Sequence, residues 1–256
     1  MTIKKLLSLI AVVPVLLAAP ALAPAAETGV KLDRVEIDTT DVVSLQSGAR
    51  TFVNYCLNCH SASLVRYNTL LNIGLTEDQI KDNLMFTAEK IGDPMDVAFP
   101  KSAAKAMFGT VPPDLSVIAR SRGADWLYTY LRSFYRDPNT ATGWNNAVFP
   151  NVGMPHVLWS LQGERVQKVE PVLRDGQPVM EHGKPAVRVT YETVRPGSMD
   201  PTEYDQLVRD LVNFLVWIGE PHQNARKQIG VWVVFALVIL IGLTYALKRA
   251  YWKDVH

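Results

Sequence analysis

Close to its C-terminal end the chain runs from Ile229 to Leu247 (I-G-V-W-V-V-F-A-L-V-I-L-I-G-L-T-Y-A-L) without a single charge. At 1.5 Å of rise per residue such a run spans roughly 28 Å as a helix, enough to cross the hydrocarbon of a bilayer. Nothing in a water-soluble core would cover it on every side, so the sequence predicts one transmembrane helix. Arg226 and Lys227 precede it, and Lys248, Arg249 and Lys253 follow. Trp232, Tyr245, Tyr251 and Trp252 stand near its two ends as interfacial anchors. The flanking bases barely decide orientation. A second apolar run does so better: Lys4 and Lys5 are followed by Leu6 to Leu17, broken only by Ser8 and Pro14, and then by A-A-P-A-L-A-P-A-A. It is too short to span and has the flanks of a cleavable secretory leader, residues 1–26, with cleavage expected after Ala25 or Ala26. Residues 27–225 are then expected in the periplasm of a bacterium. Residues 226–256 form the inner-membrane anchor and a short cytoplasmic tail.

The exported part has no Gly/Ser-rich or Pro-rich linker and no internal repeat, so it is expected to be one domain. Four helical segments stand out. Ser47 to His60 carries Phe52, Val53 and Cys56 on neighbouring turns. Thr76 to Lys90 opens with the capping-box spacing of Thr76 to Gln79. Ala124 to Tyr135 stacks Trp126, Leu127, Tyr130, Leu131 and Phe134 before Asp137-Pro138. The fourth starts with Asp200 as cap, Pro201 in the first turn and Glu203 three residues after the cap, and runs to Gly219 and Pro221. Between Val166 and Val194 alternating β-formers, with turns at Asp175-Gly176 and His182-Gly183, predict a small β-hairpin insertion over 166–194. The expected fold class is mainly α. Lysine plus arginine number 26 against 25 acids, so no basic excess points to nucleic acid.

The chain has two cysteines, and they stand together in Cys56-Leu57-Asn58-Cys59-His60. C-x-x-C-H is the attachment sequence of c-type haem. Residues three apart on a helical turn point the same way, so both thiols can meet the two vinyl groups of one porphyrin while the adjacent imidazole faces the iron. A thioredoxin-like pair would want a βαβ context, and a zinc site further ligands at close spacing; neither is visible. One motif and no other cysteine predict one covalent haem c, on Cys56 and Cys59, with His60 as an axial ligand.

The sixth ligand must come from elsewhere, as methionine or histidine in an electron carrier. Met85 and Met107 lie in helical or apolar contexts, and Met180 and Met199 flank the hairpin. Met154 lies in F-P-N-V-G-M-P-H, a loop stiffened by Pro150 and Pro155, and is favoured, with His156 as runner-up. A Met/His pair raises the reduction potential, which suits the oxidising end of an electron chain. Residues 97–136 carry six bases (Lys101, Lys105, Arg120, Arg122, Arg132, Arg136) against two acids, a candidate home for haem propionates. Residues 75–96 carry six acids against two bases, either a solvated face or a surface that steers a basic partner.

From about Val30 onward the chain resembles the cytochrome c1 family, the haem-bearing subunits of cytochrome bc1 complexes. The resemblance rests on Y-C-L-N-C-H-S followed by R-Y-N-T-L, on V-P-P-D-L-S-V-I-A-R-S-R-G, on F-P-N-V-G-M-P, and on D-L-V-N-F-L-V-W-I-G-E-P leading into the anchor. It implies a class I cytochrome c-like haem domain, His60 and Met154 as axial ligands, and Arg120 near a haem propionate. It also implies partners: cytochrome b, a Rieske iron–sulfur protein as electron donor during quinol oxidation, and cytochrome c as acceptor. Met107-Phe108-Gly109-Thr110 stands where the family often has an Asn-Asn-Gly turn, so an asparagine contact to haem is not carried over. The extra disulfide of some relatives has no cysteines here.

The expected function is therefore that of an anchored mono-haem electron-transfer subunit of a quinol:cytochrome c reductase, which catalyses nothing alone. The alternatives are a free-standing membrane-anchored cytochrome c feeding a terminal oxidase, a haem peroxidase with an open sixth position, and a thiol–disulfide oxidoreductase.

Overall fold

A computed structural model of the protein describes residues 30–97, 99–174, 177–181 and 184–253. The expected leader, 1–26, and the turn pairs Asp175-Gly176 and His182-Gly183 lie outside the described residues.

The first helix, α1 (Val42–Thr51), begins five residues earlier than the sequence pattern suggests, because the Asp41 carboxylate accepts from the Ser44 amide at 3.1 Å and caps it. At its other end the winding loosens into a π-turn, Phe52–Cys56, closed by a bond from the Leu57 amide to the Phe52 carbonyl. The chain then tightens. Both the Cys59 and His60 amides donate to the Cys56 carbonyl, at 3.0 and 2.9 Å.

Strand β1 (Ala62–Arg66) follows, paired antiparallel with β2 (Pro94–Met95), and then a 3-10 segment, Tyr67–Ile73. Helix α2 (Glu77–Asn83) has the expected reciprocal Thr76/Gln79 cap but stops seven residues short of Lys90. At its end the Leu84 and Met85 amides both donate to the Ile80 carbonyl, and further on Asp93 and Ile91 accept from the Tyr67 and Asn68 amides. Leu84 is packed in the core, 5% exposed. Two helices that periodicity did not show follow, α3 (Lys101–Phe108) and α4 (Ile118–Arg122).

Helix α5 (Ala124–Arg132) ends three residues before the expected Tyr135, and its last expected residues become β3 (Phe134–Arg136). Strand β3 pairs antiparallel with β4 (Trp144–Asn146) and parallel with β5 (Gly163–Pro171), which follows the short α6 (Trp159–Gln162). Strand β5 pairs antiparallel with β10 (Val187–Pro196), giving the sheet order β10-β5-β3-β4. Beyond it are two small strand pairs, β6 (Leu173–Arg174) with β7 (Gln177–Pro178), and β8 (Met180–Glu181) with β9 (Lys184–Pro185).

Helix α7 (Pro201–Gly219) has the expected cap: Asp200 accepts from the Thr202 and Glu203 amides, and Glu203 reaches back to the Asp200 amide. It is the centre of the core. Phe214 packs on Phe52 with ring centroids 5.6 Å apart, and Ser44 Oγ donates to the Asp210 carboxylate at 2.7 Å. Arg132 of α5 grips both carboxylate oxygens of Asp205 on α7. Helix α8 (Gln223–Tyr251) contains the whole charge-free run, is long and apolar enough to cross a membrane, and has no buried residue.

Candidate functional site

The two cysteines are free thiols on the turn that leaves the π-segment, Cys56 buried and Cys59 half-buried. Burial, and then the neighbouring Cys59, push the Cys56 thiol up to about 12; burial also raises Cys59. His60 is fixed by one bond, from ring Nδ1 to the Pro113 carbonyl at 2.8 Å. A carbonyl can only accept, so Nδ1 carries the proton and Nε2 is left with its lone pair. Burial draws the imidazole below its usual range, against the Pro113 bond and the charge of Asp114.

The segment that supplies this carbonyl is stitched to the strand after His60. Asp114 accepts from the Ser63 amide and hydroxyl at 2.9 and 2.7 Å and from the Ser116 amide at 2.8 Å. Ser116 Oγ accepts from the Leu64 amide, and the Leu115 amide donates to the Ser61 carbonyl. Burial raises the Asp114 carboxyl, but the bonds from Ser116 and Ser63 outweigh it and hold the group below the usual carboxylate range. P-P-D-L-S is thus a clamp that aims a backbone carbonyl at an imidazole. Composition and spacing could not reveal a backbone acceptor.

Met154 is half-buried in its proline-bracketed loop, and its sulfur accepts from the Tyr130 hydroxyl at 3.3 Å. The same loop packs against residues 108–110, which precede Pro113 in the chain. A Cβ on Gly153 would lie 2.8 Å from the Phe108 carbonyl oxygen, so loop and segment are in direct backbone contact. His156, the runner-up, is committed elsewhere. It is buried at 2% exposure, stacked on Phe134 with centroids 4.8 Å apart, and bonded through Nε2 to Gln162 Oε1 at 2.8 Å. Gln162 uses its amide nitrogen on the Arg132 carbonyl, so its oxygen accepts and His156 donates. Burial draws this imidazole down to about 3.

Arg120 is exposed on α4, its stem against Gly219. It helps keep the Glu220 carboxyl low, an effect due first to Arg226. Of the other bases in 97–136, Arg132 is held by Asp205 and Asp33, Arg136 by Glu164, and Arg122 lies over the Trp126 ring at 5.0 Å. Lys101 is placed differently. It lines a cleft of about 370 Å³ with Cys59, Ser61, Val97, Phe99 and Val111. Of the expected haem-attaching and iron-ligating residues, Cys59 alone is in its wall. Tyr130, through its side chain, and Pro113, through its backbone, are the groups that motif reasoning did not single out for the site.

These groups suit the chemistry of haem c: two free thiols on one turn, an imidazole whose Nδ1 is spent on a carbonyl and whose Nε2 is open, and a thioether held by one donor. The site and the fold around it define a class, c-type haem electron-transfer proteins with one apolar C-terminal helix. Residues 34–255 match the family described as "Cytochrome C1 family". The chain is 48% identical, over 94% of its length and 96% of the relative's, to a protein of Nitrosomonas europaea named ammonia monooxygenase gamma subunit. It is 44% identical, over the same shares, to cytochrome c1 of Allochromatium vinosum, and 29% identical to that of Rhodospirillum rubrum over 84% of this chain and 83% of the relative. The chain belongs to the cytochrome c1 family.

Proposed function

We propose that this chain is the electron-transfer subunit of a quinol:cytochrome c reductase, taking electrons from a Rieske iron–sulfur protein beside cytochrome b and passing them to cytochrome c. Residues 1–26 are its leader, 27–225 its periplasmic haem domain and 226–256 its anchor with a cytoplasmic tail. Cys56 and Cys59 would hold one haem c through thioether bonds, His60 and Met154 would ligate its iron, and Arg120 would serve a propionate. Bound there, the haem supplies a one-electron ferric/ferrous couple.

The bond from His60 Nδ1 to Pro113 carries this proposal. It fixes the tautomer, so that Nε2 is the nitrogen left free to ligate. The carbonyl also makes the imidazole a better donor. Met154 Sδ keeps one lone pair free because Tyr130 takes the other. Helix α8 keeps the domain at the membrane surface, within reach of a tethered donor.

The test is gentle solubilisation of membranes containing the chain tagged at its C-terminus. Co-purified haem b, a Rieske electron-paramagnetic signal and quinol-driven reduction of the c haem are expected. A lone haem c protein that quinol cannot reduce would leave a tethered carrier feeding an oxidase. A second function is suggested by the 48% identity to a protein named as a monooxygenase subunit. Co-purification of ammonia-oxidising activity in place of haem b would select it.

A further inference from the structure

We infer that Tyr130 is a positioning residue for the sixth iron ligand: its hydroxyl holds the Met154 thioether and withdraws electron density from the sulfur, which raises the reduction potential. The inference rests on the proposed ligation by Met154 and goes one residue beyond it.

Methionine has three rotatable side-chain bonds, so a proline-stiffened backbone fixes where its side chain begins and not where its sulfur ends. The sulfur is held by the phenol, which alone of the two carries a proton and therefore donates, at 3.3 Å. The phenol cannot swing away. Tyr130 is 9% exposed, and its ring is stacked on Trp126 with centroids 4.8 Å apart and planes 10° from parallel, and met edge-on by Phe134 at 5.1 Å.

Tyr130 also anchors the loop by its backbone. Asn146 Nδ2 donates to the Tyr130 carbonyl at 2.8 Å, and Asn146 Oδ1 accepts from the Val148 and Phe149 amides at 2.9 and 3.2 Å. One residue thus grips the methionine loop at two points, its stem through Asn146 and its sulfur directly. A hydrogen bond into the thioether weakens it as a donor, and the ferric state depends on that donation more than the ferrous state does. Loss of the bond therefore favours ferric iron.

Tyr130→Phe in the full-length holoprotein keeps the stacked ring and removes only the hydroxyl. At a fixed ambient potential the ferric-to-ferrous ratio is expected to rise about fivefold, the worth of one hydrogen bond. The weak far-red Met–iron band of the ferric protein should persist and shift. Should both the ratio and the band stay where they are, the role of Tyr130 is overturned while Met154 stands as ligand. If the unmodified protein has no far-red band, ligation by Met154 falls, and this inference with it. A Met154→His protein provides the control: there Tyr130→Phe should leave the potential unmoved, and a shift of the same size would show that Tyr130 acts through packing and not through the sulfur.

Discussion

Gly48 of α1 lies against the backbone of α7 so closely that a Cβ at this position would fall 2.1 Å from the Asp210 carbonyl oxygen and 2.6 Å from the Phe214 Cβ. In an open helix, alanine for glycine gains up to ~1 kcal/mol. Here the nearest atoms are backbone, which cannot swing aside, and forcing the helices apart costs ~1–3 kcal/mol or more. Gly48→Ala is therefore expected to destabilise the domain. Thermal unfolding should show a midpoint lowered by several degrees; an unchanged or raised midpoint would mean that the two helices are not in contact.

Gly153 makes the corresponding contact beside the site: a Cβ there would stand 2.8 Å from the Phe108 carbonyl oxygen and 3.3 Å from Thr110 Cγ2. Gly153→Ala should push the Met154 loop off residues 108–110. The expected signature is local: the far-red band weakens and carbon monoxide binds faster, while the unfolding midpoint falls less than in Gly48→Ala. A retained band with normal ligand exclusion would separate the loop contact from ligation.

Glu164 accepts from Arg136 Nε at 2.8 Å and is also approached by Arg195 at 3.5 Å. The bond from Arg136 is the main reason its carboxyl lies below the usual range, with burial opposing and the charges of Arg136 and Arg195 adding. The folded group is then more acidic than the unfolded one, whose ordinary value is 4.5. Its stabilising contribution is complete above about pH 4.5 and is lost as pH falls through the lower folded value. Glu164→Gln should be less stable at pH 7 and show a flatter loss between pH 5 and 3 in urea titrations. Parallel curves for the two proteins would exclude the pair.

The sequence carried some boundaries in full and others not at all, for physical reasons visible in α7 and α5. The cap of α7 is local: Asp200 and Glu203 satisfy the first amides within one turn and Pro201 starts the helix, so these three residues announce it. The end of α5 is the opposite case. The Tyr130 carbonyl accepts from Asn146, that of Leu131 from the Tyr204 hydroxyl, and that of Arg132 from Gln162 and Arg165. Every one of those donors is distant in sequence, and helical periodicity running on through Phe134 could not register them. The site divides in the same way. Cys56, Cys59 and His60 stand in one motif and were legible as a group, whereas Pro113 acts through its backbone and Tyr130 through a tertiary contact. The apolar run at 229–247 needed no partner to be read, and it falls wholly within α8.

Tyr204 provides the furthest-reaching of those distant donors. Its hydroxyl donates to the Leu131 carbonyl at 2.9 Å, and its side chain is 2% exposed between α5 and α7. Tyr204→Phe leaves a helix-end carbonyl buried without a partner, at a cost of about 1–3 kcal/mol at neutral pH. The pH dependence has a definite sign. Burial, the largest influence, raises the phenol far above 10, while Arg165 and Arg132 draw it down and Asp205 adds to the rise. Below pH 10 folded and unfolded chains both hold the proton and the bond contributes fully. Above pH 10 the unfolded chain releases a proton that the folded chain keeps, so stability falls as pH rises. Unfolding free energies measured from pH 8 to 11 should therefore slope downward more steeply in the unmodified protein than in Tyr204→Phe. Equal slopes would mean that the phenol titrates in the folded state as it does in water, and the contact that ends α5 would have to be sought elsewhere.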